Sequence, residues 1–181
     1  MRKLLLILTT FTTLIRAEWT DAEIVRFTEI ESIVAEASEE YDVPYNRLVA
    51  LLYVESRFKA DSVSPTGALG IAQFTKATAK RFKVNPKNVT SSIRGAARLL
   101  RYHFDNTITS FTNEQRWNLS CIYYNRGKGY HFKAKRYMRK HKVSITYNNL
   151  LKYYKRYSYM QEGLNYIKAI KKQIKLLESY R

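Results

Sequence analysis

The chain has 181 residues, 45% of them hydrophobic, and a formal net charge of +17. That length gives one globular domain a substantial core and leaves no room for two full-sized ones. A single cysteine, Cys121, excludes an intramolecular disulfide. The charge is uneven, since residues 1–42 hold nine acidic and four basic residues and the remainder holds 28 basic against six acidic. Such a polycation attracts nucleic acid, anionic lipid or an acidic cell wall, and charge alone does not choose among them.

Arg2 and Lys3 precede an apolar run from Leu4 to Ile15, and Ala17 is a small residue at a plausible cut. The pattern predicts a secretory signal peptide over 1–17, with an uncleaved anchor or a buried first helix as the alternatives. Thr20-Asp21-Ala22-Glu23 then reads as a capping box. Ile24, Phe27, Ile30, Val34, Ala37 and Tyr41 recur every three or four residues, predicting an amphipathic helix over 18–42 with an acidic back, packed on the basic remainder. Pro44 fits the first turn of a second helix, which runs to about Phe58. The stretch from Lys59 to Gly70 is the densest cluster of turn formers in the chain. Helices are expected near Thr75–Phe82, Ser91–Phe104 and Asn113–Asn125, the last ended by Gly127. A basic, tyrosine-rich stretch follows. The final helix carries a stripe of Leu164, Ile167, Ile170, Ile174 and Leu177. With six glycines, three prolines and no sustained strand alternation, the fold class is all-α, a single compact helical domain.

Glu55 lies three, four and seven residues after Leu52, Leu51 and Leu48, on the apolar face near the end of the second helix. A carboxyl held against leucines is desolvated, which raises its pKa toward the range of a general acid. Taken alone, the helix favours a glutamate at a fraying end paired with a neighbouring Arg or Lys. The next segment weighs against that reading. Glu55-Ser56, then Ser64-Pro65-Thr66-Gly67-Ala68-Leu69-Gly70-Ile71-Ala72-Gln73, resembles the signature of the lytic transglycosylases related to goose-type lysozyme. Tyr124-Asn125-Arg126-Gly127 resembles that family's Tyr-Asn-Ala-Gly segment, and Glu162-Gly163-Leu164-Asn165-Tyr166-Ile167 is similar to its last motif. The matches follow the family's order across roughly residues 43 to 170.

The resemblance implies a lysozyme-like fold over 43–181 with Glu55 catalytic at the end of a buried helix, and Ser64, Gln73, Tyr124, Asn125, Glu162 and Tyr166 binding substrate. Gly67 and Gly70 permit positive φ, Gln73 both donates and accepts hydrogen bonds, and Tyr124 offers a hydroxyl on an apolar ring. The sequence departs from the pattern at Ala72, Lys76 and Arg126; the arginine, where a small residue is usual, is a candidate contact for a stem-peptide carboxylate. The implied reaction cuts the MurNAc-β-1,4-GlcNAc bond of peptidoglycan and leaves a 1,6-anhydro end, with Glu55 acting as acid and then as base. No metal or organic cofactor is expected, since His103, His131 and His141 lack ligand spacing. A lysozyme-like hydrolase is the alternative among enzymes, and a basic polyanion-binding module with a vestigial site is the alternative outside them. The expected partners are peptidoglycan strands, anionic envelope polymers and a secretion, conjugation or phage assembly, with no nucleic acid. The expected place is the periplasm or cell envelope, or a phage particle.

Overall fold

The computed structural model describes residues 18–179, so the expected signal peptide at 1–17 lies outside the described residues. Among them are eight helices and no strand: α1 (Asp21–Glu40), α2 (Tyr45–Ser56), α3 (Lys76–Phe82), α4 (Val89–Asp105), α5 (Asn113–Arg126), α6 (Gly129–Lys140), α7 (Tyr147–Tyr154) and α8 (Ser158–Glu178). The protein is all-α. Of the described residues, 18–97 together with 170–179 form one compact unit, and Arg98–Ala169 form a second.

Local chemistry sets the helix starts. The Thr20 backbone donates to Glu23 Oε2 at 2.7 Å while the Glu23 amide donates to the Thr20 hydroxyl at 3.3 Å, a complete capping box opening α1. Thr112 and Gln115 form a second box at α5. Pro44 sits one position earlier than expected, as the N-cap of α2 rather than in its first turn.

The Glu23 carboxyl is 2% exposed. Burial pushes its pKa up, but the Thr20 hydrogen bonds and the Arg57 and Arg26 charges outweigh that and hold it below its ordinary 4.5. Ionised Glu23 therefore favours the folded state; the contribution is full above about pH 4.5 and vanishes as pH falls through the lower folded-state value. Glu23→Gln should cost about 1 kcal/mol at pH 7 in urea unfolding, and the difference from wild type should shrink below pH 4.

In the first unit α1 packs on α2. Phe27, Ile30, Val34 and Ala37 are buried along α1, and every residue from Leu48 to Leu52 is fully buried along α2. Each such leucine contributes about 1.5–3 kcal/mol. On the acidic back, Arg94 reaches Glu36 at 3.3 Å and Glu40 at 3.1 Å. Trp19 is 2% exposed and stacks on Tyr53 at 5.2 Å between ring centroids, edge-on to Phe27 and Phe58. Its indole donates to Gln173 Oε1 at 2.9 Å, fastening α8 to the start of the described chain.

In the second unit α6 packs on α7, two helices that the basic, tyrosine-rich sequence did not announce. Their buried sides are His131, Ala134 and Met138 on α6 and Leu150, Tyr153 and Tyr154 on α7. His131 Nδ1 lies 2.7 Å from the Tyr123 hydroxyl and 3.3 Å from that of Tyr154, tying α5, α6 and α7 at one buried point. Burial, then Lys135 and Lys128, lowers the His131 pKa from 6.5 to about 4. Here the unfolded chain takes up a proton before the folded one does. Stability from this site is thus full above about pH 6.5 and is lost progressively as pH falls to about 4. His131→Gln should unfold more easily at pH 7 but show a shallower loss of melting temperature across that window than wild type.

Candidate active site

Glu55 is the penultimate residue of α2, half-buried at the end of the fully buried Leu48–Leu52 stretch. The helix stops because Arg57 and Phe58 turn left-handed, with φ of 51° and 63°. Three sets of contacts offset the cost of that strained exit. Phe58 is clamped in the Trp19 ring cluster, with Tyr53 5.6 Å away. Arg26 Nε donates to the Arg57 carbonyl at 3.1 Å. Arg57 Nη1 reaches Glu23 at 3.3 Å. The start of α1 thus fixes the end of α2 that carries Glu55.

Ser56, for which the sequence alone suggests no separate role, sews the following loop to the helix. Its buried hydroxyl donates to the Ile71 carbonyl at 2.7 Å. Leu69 and Phe74 exchange backbone bonds of 3.0 Å in both directions, and the Gly70 amide donates to Ser62 O at 2.8 Å. Gln73 adopts φ of 50°, and its Nε2 donates to the carbonyls of Gly70 at 2.9 Å and Ser62 at 3.1 Å. Those bonds hold the amide nitrogen, and Oε1 takes part in neither. Ser64 Oγ accepts from the Ala68 amide at 2.9 Å and meets Thr66 Oγ1 at 3.1 Å, so its hydroxyl shapes the turn. A cavity of about 350 Å³ opens beside the loop, between Asp61, Val63, Leu69 and Lys87; neither Glu55 nor Gln73 is among its walls.

The remaining residues singled out from the sequence belong to the second unit. Tyr124 and Asn125 occupy the last turn of α5, both half-buried. Asn125 Oδ1 is a buried acceptor with no hydrogen-bond partner among the described residues. Tyr166 is 8% exposed. Glu162 is exposed and ion-paired with Arg126 Nη1, and the Arg126 guanidinium lies 3.8 Å from the Tyr159 ring centroid. The arginine is therefore directed at a carboxylate of its own chain. A Cβ at Gly163 would come within 2.8 Å of Arg126 Cγ, so the side chain lies along the glycine in α8.

Among the described residues eight helices, no strand and a glutamate in the last turn of a buried helix define the class as the all-α, lysozyme-like fold. Residues 32–147 match the family model described as the Transglycosylase SLT domain, and the chain belongs to that family. The match begins inside α1 and ends before Glu162 and Tyr166. Among curated proteins the chain is similar to the membrane-bound lytic murein transglycosylase F of Cellvibrio japonicus. The two are 33% identical over 106 residues, covering 58% of this chain and 21% of that protein. The protein of the same name from Photobacterium profundum is 30% identical over 165 residues, covering 83% of this chain and 32% of its own length. The chain thus spans about a fifth to a third of these relatives. Among the described residues no helix is long and apolar enough to cross a membrane, and no three His, Cys, Asp or Glu side chains are grouped to hold a metal.

Proposed function

We propose that the chain cleaves the MurNAc-β-1,4-GlcNAc bond of peptidoglycan as a lytic transglycosylase, with Glu55 as acid and then base. The observation that carries this reading is the 2.7 Å bond from Ser56 to Ile71, which ties the Gln73 loop to the residue beside Glu55 in a chain of this family. Glu55 gives its proton to the glycosidic oxygen as the bond to C1 breaks, and the substrate's N-acetyl oxygen supports the cationic carbon. The Glu55 carboxylate then takes the proton of the C6 hydroxyl as that oxygen closes on C1, which regenerates the acid and consumes no water. A second carboxylate is not required, because the nucleophile belongs to the substrate. In keeping with this, Glu162 is engaged by Arg126. By the family resemblance, Gln73 in the first unit is a glycan-binding residue whose Oε1 can accept a hydrogen bond, and Ser64 holds its loop in shape; in the second unit Tyr124, Asn125 and Tyr166 are glycan-binding residues by the same resemblance.

We place the action at the cell envelope, reached through the signal peptide at 1–17. There the protein serves as a local wall-opening tool of a secretion or conjugation machine or a phage particle. Digestion of purified sacculi, read by mass spectrometry, tests the reaction. Anhydro muramic ends, lighter by one water than reducing ends, are the expected product; reducing ends alone would replace the transglycosylase with a muramidase.

A further inference from the structure

We infer that the face built by α6, α7 and the start of α8 docks carboxylate-bearing peptidoglycan strands on a ladder of aromatic rings flanked by unneutralised cations. The inference rests on the reading of the substrate above and names where the polymer is held. The rings form a continuous row. His141 and Tyr137 have centroids 4.3 Å apart, Tyr137 and Tyr153 5.2 Å, Tyr153 and Tyr157 4.9 Å, Tyr157 and Tyr130 5.8 Å, and Tyr130 and Tyr159 5.0 Å. The row is anchored in the core at Tyr153, which is buried, and reaches the surface at both ends, where His141 is exposed and Tyr157 and Tyr159 are 38% and 44% exposed. Arg156 lies 5.6 Å from the Tyr137 centroid and donates to its hydroxyl at 3.0 Å, and Lys133 lies 4.8 Å over Tyr130.

The charge around this row is one-sided apart from Glu162, which pairs with Arg126 beside Tyr159. Residues 128–161 contain ten Lys and Arg and no Asp or Glu. Among the described residues none of those ten makes an ion pair. Ten like charges on one short stretch repel each other, and a bound polyanion relieves that repulsion. Partly exposed tyrosines present flat apolar faces with polar tips, the pairing that suits a sugar ring carrying hydroxyls. A strand of amino sugars bearing stem-peptide carboxylates supplies both features. Phe132 on α6 is 61% exposed, but insertion into lipid calls for a whole apolar face, and the rings of the ladder are tied to one another and to cations.

The test uses the full chain carrying Glu55→Gln, pelleted with purified sacculi, so that binding is read without turnover. We expect salt to release the protein, and Lys133→Glu, Lys140→Glu and Lys155→Glu together to weaken binding by about tenfold or more. The corresponding triple Lys→Gln variant should fall between the two. Binding by the Glu triple variant as tight as that of Glu55→Gln alone, or binding indifferent to salt, would overturn the inference. So would displacement of sacculi by a DNA duplex at matched charge, which would make nucleic acid the partner of this face. If the active chain yields no anhydro ends while the pelleting results hold, the reaction assigned above fails and the docking face stands.

Discussion

Glu55→Gln should release muropeptides from sacculi more slowly than the native chain by on the order of 10³-fold or more, while its thermal unfolding should stay close to the native curve. Glutamine keeps the length and the hydrogen-bonding reach of glutamate but neither gives up nor takes a proton at neutral pH. General acid or base catalysis contributes about 10²–10⁴-fold at a single step. In the proposed reaction one carboxyl serves bond cleavage and then ring closure, so the loss belongs at the upper end of that range. Stability is spared because Glu55 is only half-buried, at a helix end already held by Ser56, Arg57 and Phe58. Initial rates of muropeptide release and a melting curve on the same preparation check both halves. A variant retaining a tenth of native activity would remove Glu55 from the chemistry.

How much of this was legible in the sequence depended on how local the physics was. The capping box at Thr20 and the stripe through Phe27, Ile30, Val34 and Ala37 announce α1, because caps and periodicity act within one or two turns. In α8 the same logic holds for Leu164, Ile167, Ile170 and Leu177, while Ile174 is only half-buried and Gln173 takes a buried place to meet Trp19. That partnership spans 154 residues, and no local pattern signals it. Helices α6 and α7 stayed hidden for a different reason. Their buried side is made of His131, Ala134, Met138 and tyrosines, which hydrophobic periodicity counts weakly or not at all. In the candidate site, residue types were readable and their engagements were not. The family pattern marked Gln73, yet its amide nitrogen folds back on the Gly70 and Ser62 carbonyls. Arg126 read as a hand for a stem-peptide carboxylate, and it holds Glu162. Ser56 had no separate role until Ile71 O came within 2.7 Å of its hydroxyl. Apart from the Gln73 bond to Gly70, three residues back, each of these depends on where another segment of the chain runs.

Two glycines in one loop give the sharpest stability contrast. Gly70→Ala should destabilise the protein by about 3–5 kcal/mol, and Gly67→Ala by only about 1 kcal/mol. Both residues are left-handed, with φ of 82° at Gly67 and 75° at Gly70, so the backbone strain of an added Cβ is nearly the same. The surroundings are not. At Gly67 nothing lies within 4 Å of the place a methyl group would take, whereas at Gly70 that carbon would stand 1.9 Å from the Pro86 carbonyl oxygen. The obstacle is backbone, so no rotamer change relieves it, and the loop itself has to move. Moving it breaks the Gly70 amide bond to Ser62 and the Gln73 side-chain bond to the Gly70 carbonyl, two of the ties that shape the loop after Glu55. Gly70→Ala should therefore lower the melting temperature by on the order of 10 °C and also depress sacculus digestion at temperatures where the chain is still folded. Gly67→Ala should leave digestion near the native rate. Equal melting temperatures for the two variants would mean that strain at φ, and not the approach to Pro86, sets the requirement for glycine in this loop.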